Sequence, residues 1–110
     1  MPRYMSQFAY TADAWEALIN NPEDRREDIR ALMQRLGGQL VDLYYHFGEY
    51  DGTLIFEAPD DTTATAGLLA AVAAGHLRAT KTTRLMTVEE AMEAMRKAGG
   101  QSYEAPEGSD

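Results

Sequence analysis

Apolar and polar side chains alternate at the start of the chain. Between Arg3 and Tyr10 the even positions are mainly aromatic, while Met5, Gln7 and Ala9 occupy odd positions. A period of two that is rich in aromatic residues is typical of a strand. We therefore predict a first strand over residues 3–10.

Two helical patterns follow this strand. Thr11 is placed to cap a short helix that ends near Asn20 and Asn21, and Asn21 with Pro22 indicates the start of a second helix. The second helix is predicted to end at Gly37-Gly38. The second helix has one apolar stripe at i, i+3, i+4 and i+7, made of Ile29, Leu32, Met33 and Leu36.

Two further strands are predicted on either side of an Asp51-Gly52 hairpin signal. The first covers residues 39–47 and the second residues 53–58. In the first, the odd positions are all apolar, and the even ones form a mixed face that includes Tyr44 and His46. The second of these strands should pair antiparallel with the first.

The last part of the chain predicts a helix, an edge strand and another helix. Asp60 to Thr62 caps a helix that runs to Gly75, and residues 76–85 form a threonine-rich strand with edge character. A capping box at residues 87–90 starts the final amphipathic helix. We predict an ordered domain over residues 1–98 and a flexible acidic tail over 99–110.

The order of elements is β-α-β-β-α-β with an extra C-terminal helix. This order predicts an α+β, ferredoxin-like fold: a four-stranded antiparallel sheet with the first and third strands central and helices on one face. The other face is left uncovered. A bare sheet face on a domain of this size favours self-association, as a homodimer or a higher oligomer.

Composition narrows the classes of function. The chain has 110 residues and a formal net charge of −8, which disfavours nucleic acid and anionic membranes as partners. It contains no cysteine, so disulfides and thiolate chemistry are excluded. The N-terminus lacks the apolar core of a signal peptide, and we expect a cytoplasmic protein.

The chain resembles the GYD domain family, small bacterial proteins of undetermined function that are related to dimeric α/β-barrel, ferredoxin-like proteins. The resemblance covers roughly residues 1–98 and implies a fold and an association rather than a reaction. The stretches that carry it are residues 1–4, 36–40, 47–51, 58–60, 81–83 and 85–91, which read MPRY, LGGQL, FGEYD, APD, KTT and LMTVEEA.

Candidate chemistry concentrates between His46 and Asp51, where an imidazole, carboxylates and the Tyr50 phenol are close in sequence. These groups suit proton transfer, with His46 as base, Tyr50 as hydrogen-bond donor and Asp51 as orienting group. The alternative is turn chemistry, with Gly48 at positive φ and Asp51 in the hairpin.

A second set of candidates concerns ligand binding. Tyr44 lies on the mixed face of its strand, and Arg78 and Lys81 belong to a basic strip on the edge strand. An anionic metabolite would be attracted to such a strip, although edge strands also use these residues for solubility. Two histidines without surrounding carboxylates predict no metal site, and no cofactor-binding motif is present.

These patterns lead to two hypotheses of function. The first is a small homo-oligomeric protein that binds a small metabolite at or near the subunit interface. The alternative, supported by fold analogy, is a cofactor-independent enzyme of the oxygenase or isomerase type.

Overall fold

The chain folds as one antiparallel sheet with helices packed on one side. The computed structural model describes residues 1–108. Its strands follow the order β2-β3-β1-β4, so the first and third strands are central, and the predicted ferredoxin-like α+β fold is confirmed. The elements are β1 (Arg3–Tyr10), α1 (Ala12–Asn20), α2 (Arg26–Arg35), β2 (Gln39–Tyr45), β3 (Gly52–Glu57), α3 (Asp61–Ala73), β4 (Leu77–Leu85) and α4 (Val88–Gly99).

The strand register defines two faces of the sheet, because directly paired residues point to the same side. Tyr4 is opposite Phe56, and the two rings stack with centroids 5.2 Å apart under α2 and α3. We call this side the helix face. Its core cluster contains Tyr4, Met33, Phe56, Ala58 and Ala64.

The opposite side is named the open face. Met5 and Ile55 lie at its centre on the two inner strands. No helix within residues 1–108 packs across it. Its residues are Arg3, Met5, Gln7 and Ala9 of β1, Gln39, Asp42 and Tyr44 of β2, Thr53, Ile55 and Glu57 of β3, and Ala79, Lys81, Thr83 and Leu85 of β4.

Three of the predicted helix caps are confirmed. The side chain of Thr11 accepts a hydrogen bond from the Ala14 amide, and that of Asp60 accepts one from the Thr63 amide. Thr87 and Glu90 form the complete capping box at the start of α4. Each cap satisfies amides that a helix start leaves without partners, so these side chains fix where the helices begin.

The predicted start of α2 at Asn21 and Pro22 is wrong. The helix begins at Arg26, because the Asp24 carboxylate accepts hydrogen bonds from the Arg26 amide and side chain and holds residues 21–25 outside the helix. The same contacts with Arg26 lower the pKa of Asp24 to about 2. The predicted stop at Gly37-Gly38 is confirmed, with Gly37 at φ 79°.

One predicted strand differs in register. A shift between Leu40 and Asp42 places Leu40 opposite Phe56 on the helix face, whereas simple alternation assigned it to the mixed face with Tyr44. β2 also ends at Tyr45 rather than at Phe47. The boundaries of β3 and β4 differ from the predicted ones by one residue.

The C-terminal helix α4 leaves the body of the domain. The Cα radius of gyration is 18.0 Å, and the longest dimension is 57 Å. A compact chain of this length would have a radius of gyration of about 13 Å. Among residues 1–108, no helix is long and apolar enough to cross a membrane.

Candidate functional site

Asp51 joins the β2–β3 connection to the first strand and helix. Its amide donates to the Phe8 carbonyl at 2.8 Å, and its carbonyl accepts from the His46 amide at 2.8 Å. Its carboxylate accepts hydrogen bonds from the Tyr10 amide at 2.8 Å and from Trp15 Nε1 at 3.2 Å. These four bonds make Asp51 a structural anchor of the loop.

The side chain of His46 contacts different residues from those that bind the Asp51 carboxylate. Its Nε2 lies 2.7 Å from Thr53 Oγ1, a side chain on the open face. The ring also borders a broad groove of about 500 Å³ against α1, next to Trp15 and Phe47. Within residues 1–108, no side-chain hydrogen bond joins His46, Tyr50 and Asp51, so their proposed roles in proton transfer stay predictions.

The turn interpretation of this loop gains a specific detail. Gly48 has φ 117°, as expected for a glycine required by the backbone. At Gly52 the Phe8 ring packs directly against the backbone, so an added Cβ would clash with that ring. The glycines at residues 48 and 52 therefore have a structural role: they allow the backbone conformation and the close packing of this loop.

The three predicted ligand-binding residues are not brought together. Tyr44 on β2 donates a hydrogen bond from its hydroxyl to Asp42 at 2.7 Å, which raises the pKa of Tyr44. Lys81 lies on β4, at the opposite edge of the sheet, three interstrand spacings or about 14 Å away. Arg78 falls at the β4 irregularity, between the partners of Ala9 and Tyr10. Tyr44 and Lys81 therefore lie at opposite edges of the sheet, and the ligand-binding role of the three residues stays a prediction.

Sequence reasoning did not identify a cavity of about 80 Å³ between the helix face and helices α2 and α3. Apolar side chains form most of its wall, and small residues of α3, Gly67 and Ala71, leave the space. Ser6, at its floor, is buried and forms a hydrogen bond of 2.8 Å with Thr82. The only signal in the sequence was the set of small residues in α3.

Tyr10, Arg25 and His76 stand together at one end of this cavity. The rings of Tyr10 and His76 are 6.0 Å apart, and the Tyr10 hydroxyl lies 3.1 Å from that of Tyr45. Burial, and then the hydrogen bond with Tyr45, raise the pKa of Tyr10. The phenol is therefore neutral throughout the physiological range.

At this end of the cavity, Arg25 is paired with carboxylates and His76 is uncharged. Arg25 makes ion pairs with Glu23 at 2.7 Å and with Asp28 at 2.6 Å. Burial, and secondarily the nearby Arg25 charge, lower the pKa of His76 below its ordinary value, so its imidazole is neutral at pH 7. This end of the cavity thus offers hydrogen-bonding groups without a free positive charge.

Metal-binding side chains do not gather in the described part of the chain. Residues 1–108 contain no group of three or more His, Cys, Asp or Glu side chains arranged to hold a metal ion.

Comparison with known proteins assigns the family. The model of the GYD domain matches residues 4–95, and the chain therefore belongs to the GYD domain family. A search of curated proteins gives no match.

Solved structures share the fold at low sequence identity. The crystal structure of TTHA0845 from Thermus thermophilus matches with a TM-score of 0.52 and 12% identity, covering 80% of this chain and 96% of that one. The hypothetical protein PHS023 from Pyrococcus horikoshii matches with a TM-score of 0.50 and 11% identity, covering 79% of this chain and 92% of that one. MtbAldR matches with a TM-score of 0.50 and 18% identity, covering 78% of this chain. The match spans 52% of MtbAldR, about half its length. At such identities, the likeness is one of fold.

Proposed function

We propose that this GYD-family protein acts as a homodimer that buries the open face and binds a small neutral apolar molecule in the cavity on the helix face. The two parts of the proposal rest on opposite sides of the same sheet. The dimer is the central claim, and the ligand is a second candidate function with its own observation.

The uncovered open face carries the dimer proposal. Met5 and Ile55 of the two central strands are only half-buried there, with Leu85 beside them on the edge strand. Proteins rarely leave a sheet face with a contiguous apolar centre in water, because burying it against another layer is favourable. A second copy of the chain is a suitable cover, because a symmetric dimer buries the same surface of both subunits at once.

Light scattering coupled to size-exclusion chromatography tests the dimer. The chain has a mass of 12.2 kDa, so we expect a peak of twice that mass, about 24 kDa, at micromolar concentration. A single peak at the monomer mass across that range would contradict the proposal.

The cavity carries the ligand proposal. A space of about 80 Å³ is smaller than the 150 Å³ cavity that binds benzene in an engineered protein, but Arg25 and His76 of its wall also line a surface pocket beside it. It therefore suits a small ring, or the apolar end of a longer molecule, entering from that side. The paired Arg25 and neutral His76 favour an uncharged polar group on the ligand over a carboxylate.

NMR titration with three probes that share one aromatic ring tests the cavity. We expect phenol and benzene to shift the amide signals of Leu54 and Leu77, which border the cavity, and benzoate to shift them far less. Ala71→Leu should fill the space and abolish these shifts, whereas Ala66→Leu, on the exposed side of the same helix, should preserve them. Equal shifts in both variants would exclude this cavity as the binding site.

A further inference from the structure

Helix α4 has an apolar stripe without a partner. Val88, Ala91, Met92 and Met95 recur at helical spacing, and we call them the α4 stripe. Val88, Met92 and Met95 are 71%, 44% and 67% exposed. A single helix of this length is marginally stable in water, and most helices gain their stability by packing such a stripe. The α4 stripe therefore needs a surface to pack on.

The chain does not provide that surface in its described form. Helix α4 extends from the body rather than folding back on it, since it makes no substantial contact with any other helix or strand of residues 1–108. Residues 1–108 thus present two unpartnered apolar surfaces at once, the α4 stripe and the open face.

We propose that α4 of each subunit packs across the open face of a second copy of this chain, so that the two subunits exchange their C-terminal helices. This inference rests on the proposed dimer and specifies what covers the open face. In a symmetric dimer the exchange is reciprocal, and both unpartnered surfaces of both chains are covered by one arrangement.

The two surfaces match in size. A helix of 12 residues is about 18 Å long, and the outer strands of a four-stranded sheet lie about 14 Å apart. At the centre of the open face, Met5 and Ile55 are half-buried and offer an apolar contact for the methionines of the α4 stripe, which adapt readily to irregular surfaces.

Their charges are also complementary. Lys81 stands on the open face and makes no hydrogen bond or ion pair within residues 1–108. Glu89 lies beside the α4 stripe and is exposed and unpaired in the same range. Opposite charges at the rim of an interface favour the correct partner and orientation, although such pairs add little affinity.

Disulfide trapping tests the exchange, because the natural chain contains no cysteine. We refold a mixture of a Met95→Cys chain and a differently tagged Met5→Cys chain, each with one thiol, and oxidise it mildly. The expected product is the mixed disulfide of the two chains. Glu93→Cys, on the other side of α4, is the matched control and should give at least about tenfold less of it.

Three outcomes would overturn the exchange. In the first, the wild-type protein has the mass of a dimer, but Met95→Cys gives no more mixed disulfide than Glu93→Cys. This result would leave the dimer intact without the exchange. The second is a Met5→Cys, Met95→Cys double variant that forms its disulfide within one chain, which shows α4 folded back on its own sheet. The third is a wild-type protein of monomer mass, which removes the dimer itself.

Discussion

Replacing Asp51 with alanine is expected to lower the free energy of unfolding by about 2 to 4 kcal/mol. The carboxylate accepts hydrogen bonds from the Tyr10 amide and the Trp15 indole, and the change removes both. Hydrogen bonds to charged groups contribute more than neutral ones, and the two donors left behind lie in a partly buried position. The same change also releases the loop from α1.

Urea denaturation followed by tryptophan fluorescence measures this effect, since Trp15 is the only tryptophan of the chain. Glu49→Ala, an exposed position in the same loop, is the control and should change stability by less than about 0.5 kcal/mol. Asp51→Asn, which keeps one acceptor oxygen, should lie between the two. If Asp51→Ala were as stable as Glu49→Ala, Asp51 would not be an anchor, and its predicted chemical role would regain priority.

Replacing Ile55 with glutamate is expected to convert the dimer to a monomer and to raise its dissociation constant at least about a thousandfold. Ile55 lies at the centre of the open face, and a C2 interface would bury the new carboxylate twice. Each buried unpaired charge costs several kcal/mol, and each 1.4 kcal/mol is a factor of ten in the constant.

The control for this variant is Ile19→Glu. Ile19 is 72% exposed on α1, where it borders the groove beside His46 rather than the open face. Sedimentation velocity should give a monomer for Ile55→Glu and a dimer for Ile19→Glu, with circular dichroism showing that both are folded. A dimer that survives in folded Ile55→Glu would place the interface elsewhere.

Much of the fold was predictable because its signals are local. Strand β1 was predicted with its observed limits from the alternation between Arg3 and Tyr10. The caps at Thr11, Asp60 and Thr87 were predicted because each depends on one side chain and an amide three residues later. Such short-range geometry is readable from residue types alone.

The errors arose where a distant or competing contact decides the structure. The irregularity after Leu40 reverses which face that side chain joins, and alternation alone cannot show it. The start of α2 depends on Asp24, whose carboxylate accepts hydrogen bonds from the Arg26 amide and side chain. That choice follows from the packing of the connection rather than from cap preference.

The candidate site was predictable only in part. The turn role of Gly48 followed from its type, but the two donors to Asp51 come from a strand and a helix far away in sequence. The cavity was not predictable, because its wall combines β1 and β3 with two helices that pattern alone does not place at contact distance. The apolar periodicity of an amphipathic helix such as α4 likewise does not show whether the helix packs on its own chain.

Oxidation of Met5 by peroxide tests the covered open face most directly. Met5 lies at the centre of that face, while Met33 is in the core and Met1 is 63% exposed. Peptide mass spectrometry then gives the rate at each methionine in the natural protein. We predict that Met5 is oxidised as slowly as Met33 in the wild-type dimer and markedly faster in Ile55→Glu. A Met5 rate that is the same in both proteins would contradict a sheet face covered by a second copy.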